Sequence, residues 1–333
     1  MESLIFVLDG RFDIIDEVKQ QLIVKELDDT YVGHLKSQVF SDGEINVEFT
    51  SSVRGKRVYL LCSSNSSDLI MTLNIAIDAA KRAAAAEIIP ILPYYPYARQ
   101  DKKDQPRGPI GAKVIAEMLE NRGASHVITF DLHADQIQGF FDIPVTHMEG
   151  KFLFDRWVAH LYKQEHGESM VLCSPDAGGT KRVKSVRDRV RDKYDIDLPI
   201  IMIDKTRKKA NEIDDMVVIG EVKGKYIVII DDMCDTAGTL CKAADTLVEM
   251  GALGVTAIVT HGIFSGPAYD RIGLSKLDKV VCSDSLQLRN PNPYDDMSCL
   301  GYDKIEVVTT ANQIVNAMKA INQNVSVEDL KRG

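Results

Sequence analysis

A chain of 333 residues with a formal net charge of −9 has room for roughly two domains and no general attraction for nucleic acid. Hydrophobic residues at 45% and charged residues at 27% describe a globular protein able to bury sizeable cores. None of the six cysteines falls in a Cys-x-x-Cys pair, which excludes a zinc ribbon or thioredoxin-like motif, and no run approaches the roughly 18 apolar residues that cross a membrane. The expectation is a cytoplasmic protein with reduced thiols.

The chain opens on "MESLIFVLDGRFD", whose short apolar run and acidic neighbours predict a strand rather than a secretory leader. Further runs of this kind fall at 45–49, 57–61, 87–92, 126–130, 170–174, 199–203, 216–222, 226–230, 255–260, 279–283 and 304–308. They are rich in Val and Ile and largely apolar on both faces, as central strands of parallel sheets are. Helical patterns lie between them. One, over 109–121, sets Ile110, Val114, Ile115, Met118 and Leu119 on one stripe, with Pro109 in its first turn and Gly123 just past its end. Alternating strands and helices predict an α/β fold with covered sheets.

The segments starting at Gly55 and Gly224 echo each other: both read Gly-Lys, strand, polar loop, helix, strand. Such an echo suits two copies of one α/β domain, expected at 1–150 and 151–320 with a tail at 321–333. The copies differ at the loop, "CSSNSSD" in the first against "DDMCDTAGT" in the second.

Six segments carry the candidate chemistry, taken in chain order. "FSDGEINVEF" (40–49) is by itself a turn before a strand. "YYPYARQDKKDQPRGPIGAK" (94–113) sets Arg99, Lys102, Lys103 and Arg107 among Asp101 and Asp104; it can clamp a polyphosphate or form a solvated face. "DLHADQIQGFFDIP" (131–144) places His133 after a strand, between Asp131 and Asp135, where a neutral imidazole can ligate a metal or serve structure. "SPDAGGTKR" (174–182) puts Asp176 at a strand end before two glycines. "DKTRKKANE" (204–212) is a basic loop with Lys205, Arg207, Lys208 and Lys209.

The last, "VIIDDMCDTAGT" (228–239), is the most informative. A strand, loop and helix put the loop at the carboxyl edge of the sheet, where open α/β folds bind ligands. The helix start near Thr239 offers unpaired amides to a phosphate, with Thr236 and Thr239 as hydroxyl donors and Ala237 and Gly238 giving close backbone approach. Asp231 and Asp232 repel phosphate and suit sugar hydroxyls or a metal ion. A diol beside a phosphate describes a phosphorylated ribose. No Gly-x-Gly and no G-x-x-x-x-G-K-[ST] occurs, so neither a dinucleotide fingerprint nor a P-loop is present.

This stretch resembles the phosphoribosyl diphosphate loop shared by type I phosphoribosyltransferases and phosphoribosyl diphosphate synthetases. Segment 94–113 closely resembles the ATP-binding signature of the synthetases, which ordinary phosphoribosyltransferases lack. From about Phe40 to "THGIFSGPAY" at 260–269 the motifs keep the order of the ribose-phosphate diphosphokinase family. The resemblance implies two type I phosphoribosyltransferase-like domains, each a mainly parallel sheet flanked by helices. It implies transfer of the diphosphoryl group of ATP to the 1-hydroxyl of ribose 5-phosphate, with Mg2+ as cofactor. It assigns Phe40, Asp42, Glu44, Arg99, Gln100, Asp104 and His133 to ATP. Asp231, Asp232, Asp235, Thr236, Ala237, Gly238 and Thr239 are assigned to ribose 5-phosphate. His133 and Asp176 are assigned to metal, and Lys205 and Arg207 to the transferring phosphoryl group. Because the Phe40 segment serves a neighbouring subunit in that family, a homo-oligomer is implied, commonly a hexamer built from dimers.

Asp135, Pro106 and Gly111 stand where phosphate-regulated members usually carry serines, although Arg54 and Arg107 remain; regulation by phosphate or ADP is left open. "THMEGKF" and the longer "VRDRVRDKYDID" also depart from the usual family sequence. An inactive synthetase-associated subunit and a type I phosphoribosyltransferase remain as alternatives. The first conflicts with the retention of Lys205, Arg207 and the aspartates, the second with the ATP and "DLH" segments.

Overall fold

The computed structural model describes residues 1–8, 12–63, 65–206, 215–288 and 301–327, which form two compact units. The first takes Met1–Glu149, Ser285–Gln287 and Thr309–Gly333; the second takes Gly150–Asp284 and Leu288–Val308.

In the first unit the elements are β1 (Ser3–Val7), α1 (Phe12–Val24), β2 (Thr30–Val32), β3 (Leu35–Val39), β4 (Ile45–Phe49), β5 (Arg57–Leu61), α2 (Ser67–Arg82), β6 (Glu87–Leu92), α3 (Gly111–Arg122), β7 (Val127–Phe130) and β8 (Val145–Met148). Six strands pair in the order β2-β1-β5-β6-β7-β8, all parallel. Every residue of β5 is buried, and after Arg57 the strand is an unbroken apolar run. α2 buries Ile70, Leu73, Ile77 and Ala80, the three-and-four spacing of a helix face lying on a sheet. β3 and β4 form a separate antiparallel pair.

The second unit contains α4 (Lys151–Leu161), β9 (Met170–Ser174), α5 (Thr180–Tyr194), β10 (Ile200–Thr206), β11 (Asp215–Ile219), β12 (Tyr226–Cys234), α6 (Gly238–Glu249), β13 (Gly254–Gly262), α7 (Ala268–Leu274), β14 (Lys279–Ser283) and β15 (Ile305–Val308). Its sheet runs β11-β10-β9-β12-β13-β14-β15, parallel except for the β10–β11 pair. The expected α/β class with covered parallel sheets holds. The two echoing segments form β5–α2–β6 and β12–α6–β13, each a strand, helix and adjacent parallel strand.

A last helix, α8 (Ala311–Gln323), belongs to the first unit, where the linear division at residue 320 puts most of it in the second. Its anchor is Asn322. Arg57 Nη1 and the Tyr59 hydroxyl each donate to Asn322 Oδ1 at 2.8 Å, and Asn322 Nδ2 donates to Thr30 Oγ1 at 3.0 Å. Glu87 holds Arg57 from the other side. Ser3 Oγ also donates to Asn322 Oδ1 at 3.2 Å, so one side chain ties the helix to β1, β2 and β5, while Glu87 on β6 braces Arg57.

Every predicted run is a strand; those at 45–49, 57–61, 87–92, 170–174 and 279–283 keep their predicted bounds, and the others have shifted ends. The run at 216–222 stops at Ile219 because Gly220, at φ +125°, turns the chain. The run at 226–230 continues to Cys234. The helix expected from Pro109 begins at Gly111; a Cβ there would meet the Gln100 side chain at 2.6 Å. β2 escapes notice because it has three residues, and β3 and β8 because they mix polar residues into half-exposed strands.

Candidate functional site

In the second unit, backbone pairing carries β12 past Ile230: Asp231 pairs with Val259 and Cys234 with Gly262 on β13. The acid pair therefore sits on rigid strand, not in the loop the sequence suggested. Asp232 is buried while the Asp231 side chain stays 28% open, and both carboxylates turn toward the same guanidinium. Burial, and then the neighbouring Asp232 carboxylate, push the Asp231 carboxyl up to about 8. Arg182 opposes the rise; its Nη1 lies 3.7 Å from Asp231 and 3.8 Å from Asp232. "SPDAGGTKR" contains Arg182, but α5 and β12 must pack before it meets the acids, so no local pattern marked it.

The turn after the acids is held from outside. Ile263 and Phe264 donate N–H groups to the Cys234 carbonyl, and Ser265 donates to that of Asp235. Arg271 Nη1 donates to the Thr236 carbonyl at 2.9 Å. Ala237 takes the left-handed conformation, φ +58°, and α6 starts at Gly238 with no side-chain cap. A Cβ on Gly238 would stand 3.2 Å from Arg271 Nη1, so glycine lets the guanidinium lie against the turn. Asp235, Thr236 and Thr239 are all at least partly exposed. A helix start without a side-chain cap, preceded by a rigid turn and two acids, accommodates a phosphate with an attached diol. Asp176 lies on a different turn: its Oδ1 accepts the Gly179 N–H at 2.8 Å, where α5 begins.

In the first unit the 93–110 segment runs from β6 to α3. Tyr95 and Ala98 are buried, the Tyr95 hydroxyl donates to the Ala112 carbonyl at 2.9 Å, and Ala112 N–H returns to the Gln100 carbonyl at 3.2 Å. Anchored at both ends, the loop leaves Arg99, Gln100 and Asp104 exposed. Gln136 Nε2 donates to Asp101 Oδ2 at 3.1 Å and joins this loop to the "DLH" turn. There Asp131 and Leu132 are buried and His133 is exposed. Phe40, Asp42 and Glu44 share the exposed tip of β3–β4, where Asp42 Oδ1 accepts the Glu44 N–H at 3.1 Å. Lys205 pairs through its backbone with Met216 on the β10–β11 pair; Arg207 lies outside the described residues. Among the described residues no group of three or more His, Cys, Asp or Glu is assembled as a metal cage.

Residues 4–123 match the N-terminal domain of ribose phosphate pyrophosphokinase, and residues 166–332 match the phosphoribosyl synthetase-associated domain. The ribose-phosphate pyrophosphokinase of Helicobacter hepaticus is 43% identical, covering 87% of this chain and 88% of that protein. The chain belongs to the ribose-phosphate pyrophosphokinase family. The family's enzyme from Porphyromonas gingivalis is 41% identical over 90% of both chains. The crystal structure of phosphoribosylpyrophosphate synthetase from Mycobacterium smegmatis superposes with a TM-score of 0.83 at 34% identity, covering 97% of this chain and all of that one.

Proposed function

We infer that the protein is a ribose-phosphate pyrophosphokinase, transferring the diphosphoryl group of ATP to the 1-hydroxyl of ribose 5-phosphate to give 5-phosphoribosyl 1-diphosphate and AMP. The observation that carries the reading is the Asp231–Asp232 pair on β12, one turn before the α6 start that no side chain caps. In this reading the sugar 5-phosphate takes the 235–239 turn and the ring hydroxyls take Asp231 and Asp232. The sugar's 1-hydroxyl attacks the β-phosphorus, the bond from that phosphorus to the α-phosphate oxygen breaks, AMP leaves and the hydroxyl proton is lost. Reactions of this type need positioned charge more than covalent help. Lys205 and Arg207 are assigned to the charge that develops on the transferring group. Phe40, Asp42, Glu44, Arg99, Gln100, Asp104 and His133 are assigned to ATP.

Magnesium keeps waters and phosphate oxygens as ligands, so one or two protein side chains suffice to hold it. His133 and Asp176, each in its own unit, are the assigned contacts. When bound, the ion neutralises phosphate charge. No helix among the described residues is long and apolar enough to cross a membrane, and a cytoplasmic site of action is part of the proposal. So is a homo-oligomer, a hexamer built from dimers, supported by the exposed Phe40 tip.

The test mixes protein, magnesium, ATP and ribose 5-phosphate. AMP formed only when the sugar is present supports the reading. No AMP, with diphosphate release from phosphoribosyl diphosphate and a nucleobase, sinks it in favour of a phosphoribosyltransferase. Lys205→Ala is expected to lower turnover by roughly two or more orders of magnitude while leaving ribose 5-phosphate affinity nearly intact.

A further inference from the structure

We propose that His147 is a positioning residue for nucleotide binding: its imidazole fixes the turn that presents His133. The proposal rests on the assignment of His133 to ATP made above, and all of its residues lie in the first unit.

β7 and β8 pair in parallel, with Thr129 opposite His147 and Phe130 opposite Met148. One residue further, the Asp131 N–H reaches the Met148 carbonyl at 2.8 Å. The next amide, that of Leu132, has run past the end of the ladder. It donates to Nε2 of His147 at 2.9 Å. A backbone N–H can only donate, so Nε2 must present its lone pair and the neutral ring carries its proton on Nδ1. The acceptor near Nδ1–H is Asp135 Oδ1 at 4.0 Å; Gln138 Nε2, 3.4 Å from Nδ1, is itself a donor, spent on the Asp135 carbonyl at 3.0 Å, and packs against the ring. The His147 side chain is only 8% exposed. The ring is thus wedged beneath the turn, in contact with both its start and its following helical segment.

The turn needs such a hold. Asp131 has φ +34°, a conformation that residues with a side chain seldom adopt unless their surroundings impose it. Leu132, 3% exposed, fills the core on one side. Its side chain, its N–H on His147 and the Asp131 N–H on Met148 are three attachments made immediately before the exposed His133. Removing the imidazole acceptor releases the Leu132 peptide, lets Asp131 relax and moves His133. Gln136, three residues on, carries the displacement toward Asp101 in the basic loop.

Three variants test this. His147→Leu fills the space without an acceptor. His147→Asn places its amide near the Nδ1 position, short of Leu132. His147→Gln brings an amide oxygen to about where Nε2 lies. The readouts are ATP affinity by calorimetry, the KM values for ATP and ribose 5-phosphate, and hydrogen exchange of the Leu132 amide. The Leu and Asn variants are expected to weaken ATP binding about tenfold, with faster Leu132 exchange and the ribose 5-phosphate KM within about twofold of the parent. The Gln variant is expected to restore both ATP affinity and amide protection. If His147→Leu does not fold, the Asn and Gln pair carries the same comparison. A parent that makes AMP while the Leu or Asn variant binds ATP as tightly as the parent overturns the role of His147 alone. So does a Gln variant as weak as the Asn one, or a matched rise of both KM values, which is the mark of a disturbance not confined to the ATP site. A parent that binds no ATP overturns this proposal and the functional reading together.

Discussion

At Asp231 the sequence shows an acid and the structure shows a proton problem. Its carboxyl is raised because burial and Asp232 both disfavour the charge, with Arg182 only partly compensating. A carboxyl whose folded value lies above its unfolded one makes the folded state hold a proton the unfolded chain has released, so stability falls as pH rises between the two values. The urea midpoint is therefore expected to decline from pH 5 toward pH 8, and Asp231→Asn to flatten that decline; an unchanged slope in the variant would remove Asp231 from the account. Asp231→Ala should raise the KM for ribose 5-phosphate, whereas an effect confined to ATP refutes the diol assignment. Arg182 faces both acids from α5. Arg182→Met should raise the same KM and push the pH dependence of sugar binding upward, since the pair then ionises with less help. The acids were legible because two adjacent carboxylates after an apolar run are conspicuous. Arg182 was not, because nothing local separates it from the other basic residues of a charged helix.

Among the elements, β12 and α8 show how packing redraws boundaries. Apolar periodicity ends β12 at Ile230, yet β13 continues to offer hydrogen-bond partners, and the ladder runs on through the acids to Cys234. Partner availability, not side-chain hydrophobicity, decides where the strand stops. The buried stripe of α8, with Ala311, Ile314, Val315 and Met318, could by its spacing alone serve either unit. Asn322, bonded to Arg57, Tyr59 and Thr30, settles its place in the first. Removing that side chain leaves the Tyr59 hydroxyl and a buried guanidinium short of a partner. Asn322→Ala is expected to cost about 2–3 kcal/mol, read as a lower urea midpoint, while turnover per folded molecule stays near the parent value. A variant as stable as the parent would show the network to be dispensable. β2, β3 and β8 were invisible for a related reason: β2 has three residues, and β3 (LKSQV) and β8 (VTHM) mix polar residues into half-exposed strands, so no apolar run marks them and only neighbouring strands define them.

For the whole molecule, two units built on the same strand–helix–strand plan have diverged at one loop. In the second, the end of β12 carries the acids and the loop after it forms the turn before α6. In the first, the loop after β5 is taken up by the chain itself: the Ser63 hydroxyl donates to the carbonyl of Ser285, in a segment that returns from after β14. The echo of Gly55 and Gly224 predicted the shared plan and the changed loop, but a return crossing more than two hundred residues has no local signature. The proposed oligomer belongs to this scale too. Light scattering at working concentration should give a mass several times the 37.0 kDa of one chain. A monomer with full activity would discard the role given to a neighbour's Phe40 tip. By itself, the sequence determined the α/β class, the family and the residue types of each candidate site, because apolar period, loop chemistry and motif order are properties of nearest neighbours along the chain. Only the tertiary structure decided that the acids stand on a strand, that Arg182 opposes their protonation, that α8 closes the first unit and that His147 holds the turn before His133. Each of these is a contact between residues distant in sequence, fixed by burial and by which backbone groups are left seeking a partner.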